Sequence, residues 1–427
     1  MVSWRHHSLP PRCVKRTSRP YYAVLGPADV LRNVMRAPRI GGRETPLVFT
    51  PSAAVQRIVA QSQRPAARPG AGTISLASGD PDFATPDYIR RALVEAVESG
   101  YTHYADGQGD PQLRQALAER AAHTSGHAVE PTQVVVTHGG SAALSAALLA
   151  TINPGERVLL PEPTYSLYVD LLELVGAHPV FVASTADFHL DLDAIDAAAA
   201  GAKMIVLCHP CNPTGVVYRR DELEGLGRIA THHDLLVLSD EAYDHIVFDD
   251  VPFVSTLAIA ELRNRLIYCQ TFSKTYAMTG WRVGYLIAPP PIAAAAARMH
   301  RTINGPMNAA VQRAALAAVT TETDWPTRMR LEYQARRELV FELLAGCPGV
   351  DGAAPEGTFY AFVRYDGDVP AQEVVAAAMA RGVGIRGGTE YGPSGRNHIR
   401  IAFSSSRADL QEGVRRLRSL FAEINQR

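Results

Sequence analysis

Short apolar runs alternate with longer alanine- or leucine-rich stretches through the middle of the chain. The runs have the length and composition of buried strands, and the stretches at 141–151, 164–175, 221–233 and 291–303 read as helices. This alternation predicts an α/β fold whose mainly parallel central sheet carries helices on both faces. The predicted strands are QVVVT (133–137), RVLLP (157–161), HPVFV (178–182), KMIVL (203–207), LLVLS (235–239), RLIYC (265–269) and GYLIA (284–288).

The pattern changes on either side of this region. Residues 52–63 read as an amphipathic helix, and TISLASGDPDF as a strand that leads into a turn. We therefore expect a large domain at 86–310 and a smaller α+β domain built from 44–85 and 311–427. The predicted C-terminal elements are a helical run at 306–345, strands at FYAFVRY (359–365), near 383–386 and at HIRIAFS (398–404), and helices at 371–381 and from 407.

Residues 1–43 form a basic segment unlike the rest of the chain. They carry nine basic residues against a single acid, Asp29, together with recurrent prolines and no clear apolar period. This composition favours a flexible extension, and an organelle transit peptide or a basic arm is the alternative interpretation.

Charge and composition exclude several classes of protein. The 427 residues include 47% hydrophobic and 20% charged residues, which is typical of a folded domain. The net charge of -1 gives no electrostatic basis for binding nucleic acid or a membrane surface, and no apolar run has the roughly 20 residues of a membrane-spanning helix. Five scattered cysteines do not form a disulfide framework, so a reducing cytoplasmic setting is expected.

Only three of the 42 basic residues are lysines. Arginine replaces lysine at most surface positions, but it cannot form an imine. Lys15 lies in the basic extension and Lys203 begins a strand, and both positions suit an ordinary surface lysine. Lys274 instead follows the strand RLIYC in the hydroxyl-rich segment TFSKTYAMTGWRVGY (271–285). Partial burial there would keep its amine neutral and nucleophilic.

Two segments offer donors for a phosphate group. Thr271, Ser273 and Arg282 surround Lys274 in sequence, and the guanidinium can bind a dianion as a bidentate fork. The strand QVVVT runs into Gly139, Gly140 and a helix, where small residues let backbone N–H groups approach an anion. Glycines at such a turn are also common packing devices, so this loop alone leaves both interpretations open.

Two further strand ends carry polar residues. Asn212, in HPCNPTG, precedes a proline that holds it extended, so its amide is aimed from a rigid turn. The flanking Cys208 and Cys211 suggest a metal site. The only second pair of ligands at a suitable spacing, His232 and His233, lies in a predicted helix, so no metal site is expected. Asp240, in DEAY, ends a buried strand, where a protonated pyridine nitrogen would be a suitable partner. Tyr243 would reach an oxygen of the same ring; an N-cap aspartate is the alternative interpretation.

Together these segments resemble the class I/II pyridoxal-phosphate (PLP) aminotransferases of fold type I, the family that includes aspartate aminotransferase. The resemblance covers roughly residues 44–425. It implies a PLP enzyme that moves an amino group between an α-amino acid and a 2-oxo acid; a lyase, cyclase, oxidase or γ-replacement enzyme on the same fold is the alternative. The matching motifs are SGDPDF, Y-x4-G-x3-LR, GGSAAL, PEPTY, NPTG, DEAY, SKTYAMTGWRVGY and HIRIAFS.

The resemblance also implies roles for individual residues. Lys274 matches the lysine that forms the internal aldimine and then moves the substrate proton. Asp240 matches the acid that keeps the pyridine nitrogen protonated, and Asn212 and Tyr243 match the pair that binds the ring oxygen. The remaining implied cofactor residues are the ring-stacking Tyr165 and the phosphate cradle of Gly140, Ser141, Ala142, Thr271, Ser273 and Arg282.

Substrate and subunit contacts are implied in the same way. Arg400 matches the arginine that binds the substrate α-carboxylate, with Asn212 and the backbone of Gly79 beside it. Tyr104 matches a tyrosine that reaches the phosphate of the neighbouring subunit, so the resemblance implies a homodimer with shared active sites.

Some positions depart from the family pattern. Ser141 and Ala142 stand where relatives often have a longer polar residue. Arg301, in RMHRTING, and Arg386, in GVGIRGGTEYGPSG, occupy stretches that border the substrate side chain in relatives. Each arginine could bind a second carboxylate or form a surface ion pair.

Overall fold

The computed structural model describes residues 49–63 and 72–424; the basic segment 1–43 lies outside these ranges. The strands in the described ranges are β1 (Ile74–Ser75), β2 (Val134–Thr137), β3 (Arg157–Glu162), β4 (His178–Ala183), β5 (Ala202–Cys208), β6 (Leu236–Asp240), β7 (Leu266–Thr271), β8 (Gly284–Ile287), β9 (Val350–Asp351), β10 (Tyr360–Tyr365), β11 (Val383–Gly384), β12 (Arg386–Gly387) and β13 (His398–Ala402).

Seven of these strands form the central sheet, in the order β2-β8-β7-β6-β5-β3-β4. They are the seven strands that the sequence predicts. The neighbours from β7 through β4 pair in parallel, while β8 runs antiparallel to β7 and β2. Strands β2, β6 and β7 are buried along almost their whole length, which is why they read as continuous apolar runs, whereas the edge strand β4 exposes His178, Phe181 and Ala183.

Helices pack against this sheet and complete the α/β fold. Asp110 caps α3 by accepting the N–H groups of Gln112 and Leu113, and the left-handed Gly126 ends it. The helices in the described ranges are α1 (Ala53–Gln61), α2 (Asp87–Glu98), α3 (Pro111–Ser125), α4 (Gly140–Thr151), α5 (Leu167–Val175), α6 (Leu192–Ala199), α7 (Arg220–His232), α8 (Phe272–Thr275), α9 (Pro290–Asn304), α10 (Ala309–Thr320), α11 (Trp325–Leu344), α12 (Ala371–Ala380) and α13 (Arg407–Ile424).

A second, smaller sheet has the order β12-β13-β10-β9 and is antiparallel throughout. The short strand β1 pairs in parallel with β11. An apolar cluster distinct from that of the central sheet surrounds these strands and includes Tyr333, Phe359, Phe403 and Phe421. The C-terminal part is therefore an α+β arrangement with its own core.

Two helices pack differently from the predicted domain division. Buried Ala314, Ala315 and Ala318 of α10 join the core of the central sheet, although the sequence places residues from 311 in the small domain. In α1, Arg57 donates to the carbonyl oxygen of Glu173 in α5, at 2.9 and 3.1 Å, so this helix also contacts the large-sheet region. The division into two domains remains a prediction, and its boundaries at 85 and 310 do not follow these contacts.

The structure adds and divides elements relative to the sequence pattern. The helix α6 was not predicted; Asp191 caps it by accepting the N–H group of Ala194. The run at 306–345 is two helices, because α10 ends at an extended Thr321 before α11 begins. Among the described residues, no helix is both long enough and apolar enough to cross a bilayer.

Candidate active site

Neighbouring parallel strands end at one edge of the central sheet. Cys208 of β5 pairs in register with Asp240 of β6, and Asp240 pairs with Cys269 of β7. The residues that follow these strands must therefore meet at this edge, which is where parallel sheets bind ligands. Asn212, Asp240 and Lys274 all lie here.

Asp240 is a buried carboxylate with two protein donors. Its Oδ2 accepts a hydrogen bond from the Tyr168 hydroxyl at 3.0 Å, and its Oδ1 accepts from the Ala242 N–H at 3.3 Å. Burial raises its pKa to about 6. An ionised carboxylate has roughly four acceptor positions, so Asp240 can accept a further hydrogen bond from a ligand N–H.

Lys274 lies in the one-turn helix α8, directly after β7. Thr271 caps that helix by accepting the Ser273 N–H at 3.2 Å. The Lys274 Nζ donates to the Gly79 carbonyl oxygen at 2.6 Å and lies 5.7 and 6.0 Å from the ring centroids of Phe359 and Tyr243. Burial lowers its pKa to about 8, so a sizeable fraction of the amine is neutral near physiological pH.

Arg400 and Asn212 are in direct contact. The Arg400 Nη1 donates to the Asn212 Oδ1 at 2.9 Å, and its Nη2 donates to the Ala77 carbonyl oxygen at 2.7 Å. The guanidinium lies over the rings of Tyr360 and Tyr391, with centroid distances of 4.0 and 5.1 Å. Only 4% of Arg400 is exposed, so the charge is held in a low-dielectric environment where it attracts a carboxylate strongly.

The two phosphate-donor segments also meet. An ideal Cβ on Gly139, whose φ is +82°, would lie 2.6 Å from Arg282 Nη2, and one on Gly140 would lie 3.4 Å from the Thr271 Cβ. The Thr271 hydroxyl donates to the Ser273 Oγ at 2.9 Å. The start of α4, two hydroxyls and a guanidinium therefore form one cradle, and the positive φ of Gly139 favours glycine at that position.

Close packing continues beneath this cradle. An ideal Cβ on Gly284, at the start of β8, would lie 2.7 Å from the Gln270 carbonyl oxygen and 2.8 Å from the Gly140 nitrogen. Ser141, in the first turn of α4, is exposed and Ala142 is half-buried. The missing side chain at Gly284 thus lets β7, β8 and the start of α4 meet.

The other predicted site residues lie at the margin. Tyr165 is half-buried and packs edge-on against Tyr168, with ring centroids 5.5 Å apart. Tyr104 is 93% exposed. Arg386 donates to Glu390 at 3.2 Å, an ion pair of the kind named as one of its two interpretations. The alkyl stem of Arg301 lies against Gly107.

Three tyrosines contact the site but were missed in the sequence. Tyr168 donates to Asp240, the Tyr360 hydroxyl lies 3.0 Å from that of Tyr243, and Tyr391 stacks on Arg400. Tyr168 occurs in an apolar helical stretch and Tyr360 in a strand buried on both faces, so both read as ordinary core residues. Nothing in the spacing pointed to their partners.

The cysteines near Asn212 contact the backbone. Cys208 Sγ accepts the Asn212 N–H at 3.3 Å, and the Cys211 thiol donates to the Pro163 carbonyl oxygen at 3.3 Å. Within the described residues, groups of three or more His, Cys, Asp or Glu side chains arranged to hold a metal ion are absent.

Comparison with known proteins identifies the family. Residues 71–417 match the profile of aminotransferase class I and II. The chain is 34% identical to aspartate aminotransferase of Streptomyces avermitilis, over 85% of this chain and 92% of that protein. It is 32% identical to the probable aspartate/prephenate aminotransferase of Aquifex aeolicus, over 83% and 92% of the two chains.

The chain is also similar in three-dimensional structure to solved aminotransferases. The aromatic aminotransferase of Pyrococcus horikoshii superimposes with a TM-score of 0.79 at 32% identity, over 83% of this chain and 97% of that one. The chain therefore belongs to the class I and II aminotransferases. The predicted family and α/β fold class are confirmed, as is the prediction of an enzyme that transfers amino groups. Enzymes of this family depend on PLP.

Proposed function

We propose that this chain binds PLP at Lys274 and moves an amino group between an α-amino acid and a 2-oxo acid. The observation that carries the proposal is the Lys274 amine, half-buried between two aromatic rings with its pKa lowered to about 8. A lysine in that state is nucleophilic at neutral pH and can exchange protons there.

The surrounding donors and acceptors suit PLP. Asp240 can accept the ring N–H, and the Asn212 amide and the Tyr243 hydroxyl can bind the ring oxygen. Tyr165 offers an aromatic face, and the cradle of Gly140, Ser141, Ala142, Thr271, Ser273 and Arg282 offers donors for the phosphate. When bound, PLP supplies an electron sink for the negative charge that develops at the substrate Cα.

Asp240 supports that chemistry through its charge. Burial makes the carboxylate a better proton acceptor than an exposed aspartate, since its pKa is raised to about 6. At neutral pH, above this pKa, the carboxylate is mostly ionised, and its negative charge would stabilise a proton on the ring nitrogen of bound PLP. Tyr168 holds the carboxylate in the orientation that this requires.

Arg400 and Lys274 act on the substrate. The Arg400 guanidinium would hold the α-carboxylate and so fix the orientation of the substrate Cα–H bond, which would favour proton loss over decarboxylation. The Lys274 amine would accept the proton from Cα and could return it, because the amine changes between its neutral and charged forms near pH 8. The Gly79 carbonyl oxygen, 2.6 Å from Nζ, holds the amine in place.

The proposal extends to assembly and location. Tyr104 is 93% exposed, as expected for a side chain that reaches a partner's phosphate in a homodimer. Four cysteines in the described residues are free thiols and buried, which suits a reducing compartment such as the cytoplasm.

Two measurements test the function. The purified protein loaded with PLP is mixed with a panel of amino acids, and both the change in cofactor absorbance and the release of oxo acid are followed. We expect oxo-acid release with at least one amino acid and none with the Lys274→Ala variant. Release of ammonia or of a cleaved side chain in place of an equivalent of oxo acid would contradict amino transfer.

Chemical labelling locates the lysine. Borohydride treatment of the PLP-loaded protein should leave a phosphopyridoxyl group on Lys274, detected by peptide mass spectrometry. Lys203, the second residue of β5 in the same sheet, serves as the internal reference. Label on Lys203 instead would contradict the assignment.

A further inference from the structure

A histidine pair lies next to the anion cradle. His138 directly follows β2 and precedes Gly139, and His300 is located in the last turns of α9, which packs against α4. The backbone N–H of His138 donates to His300 Nε2 at 3.2 Å, and the His138 Nδ1 lies 3.1 Å from the same nitrogen. The two rings stack with centroids 5.1 Å apart.

The backbone amide decides the protonation of both rings. An N–H group only donates, so His300 Nε2 must be an acceptor and the proton of His300 must lie on Nδ1. His138 Nδ1 must then carry a proton, because two lone pairs at 3.1 Å would repel. Burial and His138 lower the pKa of His300 to about 4, so this neutral form persists at pH 7.

The buried His300 ring reduces the stability of the fold relative to an apolar ring of similar size. His300 is 1% exposed, and its Nδ1 lacks a hydrogen-bond partner among the described residues. A buried unpaired donor is unfavourable, and a phenylalanine would fill the same space without that cost. What phenylalanine would not supply is the acceptor for the His138 N–H, which sits one residue before the cradle.

We propose that His300 is a positioning residue for the cradle: its Nε2 fixes the backbone of His138 and thereby aims the N–H groups at the start of α4 towards the phosphate of PLP. The inference rests on the proposed PLP site. It concerns a residue outside the cradle, since the His300 Nε2 contacts the backbone and the ring of His138.

Matched amide variants test the acceptor. Glutamine can place its carbonyl oxygen near the position of Nε2, whereas asparagine reaches only as far as Nδ1. Dissociation constants for PLP are measured by absorbance titration of apo-protein for wild type, His300→Gln, His300→Asn and His300→Phe. We expect Gln to bind PLP within about twofold of wild type, and Asn and Phe to bind about tenfold more weakly, the factor for one net hydrogen bond.

Pyridoxal, which lacks the phosphate, separates positioning from general loosening. We expect the same variants to bind pyridoxal as wild type does, and to lose affinity for inorganic phosphate in parallel with PLP. Equal losses for Gln, Asn and Phe, or equal losses of PLP and pyridoxal affinity, would overturn the inference. If phenylalanine prevents folding, the Gln and Asn pair decides the question alone. A wild-type protein that binds neither PLP nor pyridoxal would instead contradict the proposed function.

Discussion

The amine of Lys274 should titrate at an unusually low pH. Burial disfavours its charged form and lowers its pKa to about 8 from the ordinary 10.5. Below pH 8 the buried charge therefore subtracts from the free energy of unfolding, and this penalty declines as the pH rises towards the unfolded value. The rate at which an amine-reactive label modifies Lys274 in apo-protein should rise with pH and level off above about 8, with Lys203 as the internal reference. A rate still rising steeply at pH 10 would contradict this.

The charge of Asp240 should affect the reaction more than it affects binding. Asn in its place keeps the size but cannot hold a proton on a ring nitrogen, so we expect kcat to fall by about two to three orders of magnitude in Asp240→Asn. Glu241→Gln is the matched control: Glu241 is buried at the same strand end but bonds Thr256. Steady-state kinetics at saturating PLP measure both. An equal loss in the two variants would point to general damage.

Individual site residues differed in how well the sequence revealed them. Lys274, Asp240 and Asn212 each follow a strand end within a motif, so their proximity could be predicted from the sheet alone. Tyr168, Tyr360 and His300 act on residues 72 to 162 positions away, in elements that read as core. A single sequence contains no record of which distant side chains become partners, so their roles required the structure.

At the scale of elements, the junction of β7, β8 and α4 should tolerate no added atom. In Gly284→Ala, the new methyl group would lie within 2.8 Å of backbone atoms of Gln270, Gly139 and Gly140, which cannot move aside independently. We expect the free energy of unfolding to fall by about 1–3 kcal/mol and PLP affinity to fall with it. Gly280→Ala is the control, since nothing lies within 4 Å of its ideal Cβ. Denaturant unfolding and PLP titration compare the two, and similar values would contradict the packing argument.

Strands were predicted better than helix boundaries or domain limits. Strands such as β2 and β7 are apolar because both faces are covered, and that signal survives in the sequence. The helix α6 has only eight residues, about two turns, so its apolar pattern is too short to stand out in the sequence. The packing of α10 on the large-sheet region depends on alanines that would suit either core.

At the scale of the whole molecule, Tyr104 allows a test of shared sites. If each site takes Tyr104 from the partner chain, a mixed dimer of Lys274→Ala and Tyr104→Ala contains one fully native site. An equal mixture with free subunit exchange should recover about one quarter of wild-type activity.

A mixture of Lys274→Ala and Arg400→Ala is the control for that experiment. Both residues contribute to the site of their own chain, so neither site of the mixed dimer is complete and no activity should return. Exchange is verified with a mass tag on one variant. Absence of recovery with Tyr104→Ala despite exchange would remove Tyr104 from the shared site.

The contact between Arg400 and Asn212 has a thermodynamic consequence. A guanidinium only donates, so the amide atom facing Arg400 must be the oxygen, and the NH2 group of Asn212 faces away from it. One side chain thus connects the group proposed to bind the substrate carboxylate with the group proposed to bind the cofactor ring. Linkage is reciprocal. If a simple monocarboxylate that binds Arg400 changes the affinity for PLP by some factor, PLP must change the affinity for that monocarboxylate by the same factor. Calorimetry of each ligand in the presence of the other would measure this coupling, and Asn212→Ala should abolish it.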